Sequence, residues 1–439
     1  MFSFLRLPGE HSLSRGALTA FGIRVSGAGL LYGLHVLLAQ WMGADGYGAY
    51  VFAISWASVL AQLGALGLPN AALRFVPAYH TRDEPGALQG FLWSGRLLIL
   101  GATALLALLA AATAYLLPRG TVPLLTLLVG FGLAPLLALV MFETQVLRAC
   151  NQFALSYGPK QVLRPLGVGA GVGGLFWLTG SVSALAVLLC TGLVFVGMVF
   201  IQQWGTRHTL PALRDAVPIS RTRRWLRVAL PLLLTSGFQL VLQKTDVLLI
   251  GPLVGAREVG IYYAAMRTAQ VVTFTGFAVD AVAAPLVSRL YHGDDGDLQT
   301  AVSTLAHWYF WPTLAVALGL LLLAAPLLSL FGPGFTAGRP VLYAFLAGLL
   351  VNAATGAQTH LLTLTGHERS CAYIFGWCAL LNVVLNVAGI YASGALGAAL
   401  ATATALAVRN LWVRHHVVRL TGIRPSIVAA LQPSASSHA

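Results

Sequence analysis

Along the chain, long apolar stretches alternate with short polar breaks. A bilayer-spanning helix takes about 20 mainly apolar residues, and hydropathy supports about twelve such segments. They fall near 17–40, 47–70, 88–116, 121–147, 158–178, 181–204, 226–251, 258–284, 299–328, 338–365, 370–392 and 395–418. The one substantial hydrophilic break, GTRHTLPALRDAVPISRTRR from Gly205 to Arg224, holds Pro211 and Pro218 and parts six spans from six. The expected organisation is a six-helix lobe over 1–204, a basic linker over 205–225, a second six-helix lobe over 226–420 and a tail over 421–439.

The two lobes echo each other. GADGYGAY, from Gly43 to Tyr50, returns as GAREVGIY, from Gly255 to Tyr262, at an offset of 212 residues. The same offset carries Ala71, Ala72, Tyr79 and His80 onto Ala283, Ala284, Tyr291 and His292, and sets HTRDEP (80–85) against HGDDGD (292–297). Six spans per half bring both halves in from the same side, so the repeats are parallel. Doubled helical bundles enclosing a site near the midplane are how secondary transporters are built, which makes transport the leading expectation.

Composition agrees. With 58% hydrophobic residues, 9% charged and a mean hydropathy of +0.80, the chain has too little polar surface to cover a soluble globule. The formal charge of +13 would suit nucleic acid, but its distribution follows topology. Of 26 Lys and Arg, four lie within spans; with the N-terminus inside, nineteen of the other 22 fall in inner loops and helix ends, against Arg119, Arg257 and Arg339 outside. This bias predicts that both termini are cytoplasmic, and the lack of a small-residue cleavage site predicts that the first span is kept as an anchor. RTRRWLR, from Arg221 to Arg227, then reads as a contact for anionic lipid rather than for DNA.

Cys150, Cys190, Cys371 and Cys378 show no CxxC spacing, the histidines no HExxH, and DDGD lacks the ligand spacing of an EF-hand. No metal and no cofactor is expected. GVGAGVGG, from Gly167 to Gly174, has the wrong spacing for a dinucleotide loop and suits close helix packing.

Charges inside spans cost a few kcal/mol each, so they face a cavity or a partner. Seven are found: Arg24, Arg96, Glu143, Lys244, Asp246, Arg267 and Asp280. Arg24, Arg96 and Glu143 form a layer in the first lobe, and Lys244, Asp246 and Arg267 a layer in the second. Two readings compete. In one, Arg24, Arg96, Lys244 and Arg267 make an electropositive substrate cavity, with Glu143, Asp246 and Asp280 setting its field or accepting a coupling ion. In the other, opposite charges at one depth pair and lock helices, foremost Asp246 with Lys244 or Arg267. Gln62, Asn70, Gln239, Gln243, Asn352, Gln358, Asn382 and Asn386 add polar positions that line a cavity or bond between helices.

At Leu37–Tyr79 (LLAQWMGADGYGAYVFAISWASVLAQLGALGLPNAALRFVPAY) and Leu230–Ala265 (LPLLLTSGFQLVLQKTDVLLIGPLVGAREVGIYYAA), the sequence resembles the multidrug/oligosaccharidyl-lipid/polysaccharide exporter superfamily, in its bacterial polysaccharide or O-antigen flippase branch. Arg74 matches the Arg after the first hairpin, Asp246 the Asp of the seventh span, and Ala284-Pro285 and Ser288 the close of the eighth. Gln40 departs from the usual basic residue before the first outer turn. The resemblance implies an all-α, V-shaped, two-lobe transporter that alternates access and carries an undecaprenyl-pyrophosphate-linked oligosaccharide between leaflets. Its partners would be that substrate, membrane lipids and neighbouring polymerase and glycosyltransferases; nucleic acid is not among them. A cation-coupled drug exporter of the same fold, a membrane glycosyltransferase or polymerase, and a scaffold within a synthase complex are the alternatives. The enzyme would need a catalytic acid pair or a large outer loop, and the chain offers neither.

Overall fold

A computed structural model describes residues 10–116, 122–210, 216–276, 279, 298–356, 358, 361, 368–423 and 427. Among these residues the chain is helical throughout, with no strand, as the apolar runs predict. The helices are α1 (Glu10–Gly64), α2 (Leu68–Thr81), α3 (Pro85–Leu116), α4 (Leu124–Gly132), α5 (Ala134–Ala149), α6 (Phe153–Gly158), α7 (Arg164–Thr179) and α8 (Ala184–Thr209). They continue as α9 (Thr222–Leu253), α10 (Ala256–Ala269), α11 (Leu298–Leu322), α12 (Ala324–Ser329), α13 (Arg339–Ala354) and α14 (Glu368–Thr421).

The two longest helices are each two spans. At about 1.5 Å per residue, the 55 residues of α1 would reach about 80 Å, far more than the roughly 30 Å of a hydrocarbon core. The chain turns back at Gly43, whose φ of 69° and ψ of 178° no side-chain-bearing residue adopts easily. His35 and Tyr47, twelve residues apart, are consequently joined by a 3.1 Å hydrogen bond. α14 turns back in the same manner at Ser393 and Gly394, which brings Asn382 and Asn386 to Thr402. Among the described residues, seven helices are long and apolar enough to cross a membrane, or nine if each of two bent pairs counts as one span. This is a multi-pass membrane protein. The expected eighth and tenth spans (258–284 and 338–365) run past the described residues.

The chain forms two compact units, one from residues 1–240 with 255–260, the other from 241–254 with 261–439. The first is pinned by aromatic residues. Trp225 is fully buried, edge-on to Phe91, and its indole Nε1 donates to the Tyr79 hydroxyl at 2.9 Å. Phe91 also meets Phe75 and Phe142. The linker side is tied down where Arg221 pairs with Glu84 at 2.8 Å and Ile219 N–H donates to the Gly86 carbonyl at 2.9 Å.

The 212-residue repeat has a physical counterpart here. Gly255, the repeat mate of Gly43, also takes a positive φ, 130°. A side chain on Gly48 would strike the Ala256 carbonyl, and one on Gly260 the Ala44 carbonyl. Since 256 − 44 and 260 − 48 both equal 212, the two turns meet through equivalent residues, each filling the other's gap. Asp45 and Arg257, a third pair at that offset, form an exposed ion pair at 3.6 Å.

Candidate functional site

Of the first-layer charges, Arg96 on α3 and Glu143 on α5 are brought together. Arg96 Nε donates to Oε1 at 2.6 Å and Nη2 to Oε2 at 3.2 Å, while the Thr206 hydroxyl on α8 donates to Oε2 at 3.3 Å. Glu143 is fully buried and Arg96 23% exposed. The fork-to-fork geometry joins three helices and satisfies the carboxylate at a depth where an unpaired charge would be costly. Arg24 lies on α1, but its side chain falls outside the described residues, as does Asp280.

The cations that line a cavity in this unit are different ones. Pro159 lacks an N–H, and the helix loosens there into a π turn over Pro159–Leu163, between α6 and α7. Lys160 and Arg164, four apart and hence on one face, line a cavity of about 250 Å³ with Gln62, Asn70, Gln145 and Gln239. Among the described residues that line it there is no carboxylate. The Arg164 guanidinium sits 5.5 Å over the Phe195 ring, its Nε without a hydrogen-bond partner. Gln145 Oε1 is likewise buried and unpartnered, and Gln62 is held by its Nε2 donating to Ser236 Oγ at 3.0 Å. At about 30 Å³ per water the space holds about eight waters, room for an anionic head group but less than an ordinary ligand pocket. Topology had placed Lys160 and Arg164 among inner flanking charges. The signal that could have moved them is the proline directly before a basic pair at helical spacing inside an apolar run.

In the second unit the Asp246 carboxylate is hydrogen-bonded by neutral donors, with the Lys244 charge acting on it as well. It is 2% exposed, accepts from the Tyr262 hydroxyl, and accepts from the Val247 N–H at 2.7 Å. Two residues along a helix turn side chains about 200° apart, so Lys244 acts on Asp246 as a nearby charge and not from the same helix face. Both second-layer cations go to Tyr263: Lys244 Nζ lies 5.8 Å and the Arg267 guanidinium 4.9 Å from its ring centre. Arg267 also donates to the Tyr263 hydroxyl at 2.5 Å and to Gln270 Oε1 at 3.1 Å.

Around Asp246 the polar side chains are oxygen-rich. Thr402 reaches the Tyr262 hydroxyl. Asn382 and Asn386, both buried, point Nδ2 toward Thr402 Oγ1 at 3.4 Å, and among the described residues neither Oδ1 has a partner. Asp246, Tyr262, Thr402 and the two asparagines thus form one run of polar side chains within the apolar second unit.

The polysaccharide biosynthesis protein family matches residues 13–291, and the MatE family matches residues 231–388. No curated protein matches the sequence. Among solved structures, the fold is similar to that of the lipid II flippase MurJ in an inward closed conformation, at 16% identity and a TM-score of 0.72 over 92% of this chain and 87% of that one. An inward-facing multidrug resistance MATE family transporter of the MOP superfamily gives 14% identity and a TM-score of 0.71 over 92% and 99%. A MOP superfamily transporter from Pyrococcus furiosus gives 16% identity and a TM-score of 0.53 over 93% and 96%. The two-lobe transporter fold of that superfamily is therefore the fold of this chain.

Proposed function

The chain belongs to the polysaccharide biosynthesis protein family, and from that premise we propose that it is a flippase, moving a lipid-linked oligosaccharide from the inner to the outer leaflet of a bacterial inner membrane. The observation that carries this reading is the acid-free cavity of Lys160 and Arg164. A pyrophosphate offers oxygens to a guanidinium fork and to an ammonium, and Arg stays charged at every physiological pH. The cavity's size suits the pyrophosphate alone, so the glycan and the polyprenyl chain extend out of it. Arg24 adds to the field from α1. Arg96 holds the cavity's helices in place through Glu143, and Lys244 and Arg267 serve as a second cation station around Tyr263.

In this scheme the halves over 1–204 and 226–420 alternate access, the basic linker 205–225 is cytoplasmic, and both termini lie inside. Asp246, and Asp280 beyond it, couple transport to a proton or monovalent cation. Glycosyltransferases supply the substrate and a polymerase consumes it. A second reading, a cation-coupled multidrug exporter, is favoured by the MatE match over 231–388 together with the Asp246 cluster.

The test is transport in proteoliposomes of a fluorescent polyprenyl-pyrophosphate oligosaccharide, read by quenching at the outer surface, beside efflux of a cationic dye. The flippase reading expects glycolipid transport that falls at least tenfold in Lys160→Gln/Arg164→Gln. Dye efflux without glycolipid transport establishes the exporter instead. Labelling of a cysteine placed at Arg214 by an impermeant reagent in intact spheroplasts reverses the topology.

A further inference from the structure

The contact between α2 and the first half of α9 has two faces. One is filled by Trp225 against Tyr79 and by the approach of Gly67, at φ 74°, to the Ala229 carbonyl. The other is an open groove of about 560 Å³, lined by Asn70, Leu73 and Arg74 from α2 and by Arg227, Pro231 and Leu232 from α9. Both arginines are exposed, and among the described residues neither has an ion-pair or hydrogen-bond partner. Arg221, six residues before Arg227 and just ahead of α9, does take an acid, Glu84. The two free guanidiniums thus share one concave surface that has no carboxylate, and apolar side chains form the rest of it. That combination fits an anion carried on a hydrocarbon chain.

The groove also adjoins the deeper cavity of Lys160 and Arg164, and Asn70 lines both. Arg227 stands five residues into α9, about 8 Å from its start, the depth of phospholipid head groups if that end lies at the inner face. We propose that Arg74 and Arg227 form a loading site, which captures the pyrophosphate of the lipid-linked substrate from the inner leaflet and hands it past Asn70 to the deep cavity. The inference rests on the flippase reading. A pyrophosphate is the better match than a phospholipid's single phosphate, because two arginines line the groove and a second pair of cations lines the cavity that shares Asn70 with it.

Capture by charges at a rim sets the association rate, whereas charges in the deep site set the dissociation rate. The full chain in phosphatidylcholine nanodiscs is mixed with undecaprenyl pyrophosphate, and both rates are followed. The loading site predicts association about tenfold slower in Arg74→Gln/Arg227→Gln, with dissociation changed less than about twofold, and faster dissociation in Lys160→Gln/Arg164→Gln. Should the double Gln variant fail to fold, Arg74→Lys/Arg227→Lys keeps the charge, loses the fork, and is expected to slow association about threefold. Wild-type association in the groove variants, with binding lost in the cavity variant, overturns the loading site and leaves the flippase reading standing. Competition by phosphatidylglycerol as effective as that by unlabelled undecaprenyl pyrophosphate makes the groove a phospholipid site and also overturns it. No binding by the wild-type chain removes both.

Discussion

The hairpin that turns at Gly43 and the hairpin that turns at Gly255 share a backbone and differ in chemistry. Each has a glycine of positive φ at the turn and a second glycine five residues on, pressed against the other's backbone. Below the turn, the first hairpin closes on an imidazole, His35 with Tyr47, and the second on a buried carboxylate, Asp246 with Tyr262. The units treat their cations differently as well. Arg96 is matched by a carboxylate, whereas Lys244 and Arg267 share an aromatic face. Duplication thus kept what hard-sphere contact demands and let the electrostatics diverge. In the first unit the buried acid pairs with an arginine and the cavity cations enter by way of a π turn; in the second the buried acid is met by a tyrosine hydroxyl and a backbone N–H.

The largest expected effect tests the shared part. Gly48→Leu or Gly260→Leu must displace backbone carbonyls, and folded yield on detergent gel filtration should drop severalfold, whereas Gly29→Leu, with open space at its Cβ, should leave it unchanged. Equal yields would mean that the turns do not need this contact. Next is the buried pair. Arg96→Ala or Glu143→Ala should each cost roughly 3–5 kcal/mol and the double variant less than either, measured by thermal unfolding; additive losses would return Arg96 to the substrate.

The chemical difference between hairpins is sharper in function than in stability. Asp246→Asn can still accept from Tyr262, so it should fold, yet transport should lose its dependence on the proton or sodium gradient; retention of that dependence would move coupling elsewhere. Its counterpart, His35→Ala, should cost about 1 kcal/mol, the worth of an ordinary hydrogen bond, and leave the gradient dependence intact. The smallest effect belongs to Asp45 and Arg257. Their side chains are 74% and 59% exposed, so Asp45→Ala should shift stability by less than about 1 kcal/mol.

Much of this molecule is written in one dimension. The apolar runs, the basic flanks, the turn glycines and the 212-residue offset all depend on neighbours along the chain, or on a solvent that sorts residues by polarity alone. Even the position of Asp246 as the buried acid of its helix could be read from its place in an apolar segment. Partner choice could not. Helices that are apolar on every side carry no stripe to reveal which face meets which neighbour, so hydropathy gives depth but not azimuth. Arg96 and Glu143 meet across 47 residues of sequence, and Lys160 and Arg164 reach the cavity because Pro159 opens a wider turn. Depth came from the sequence, because the bilayer reads one residue at a time; pairing came from the fold, because it requires two helix faces to be rotated together.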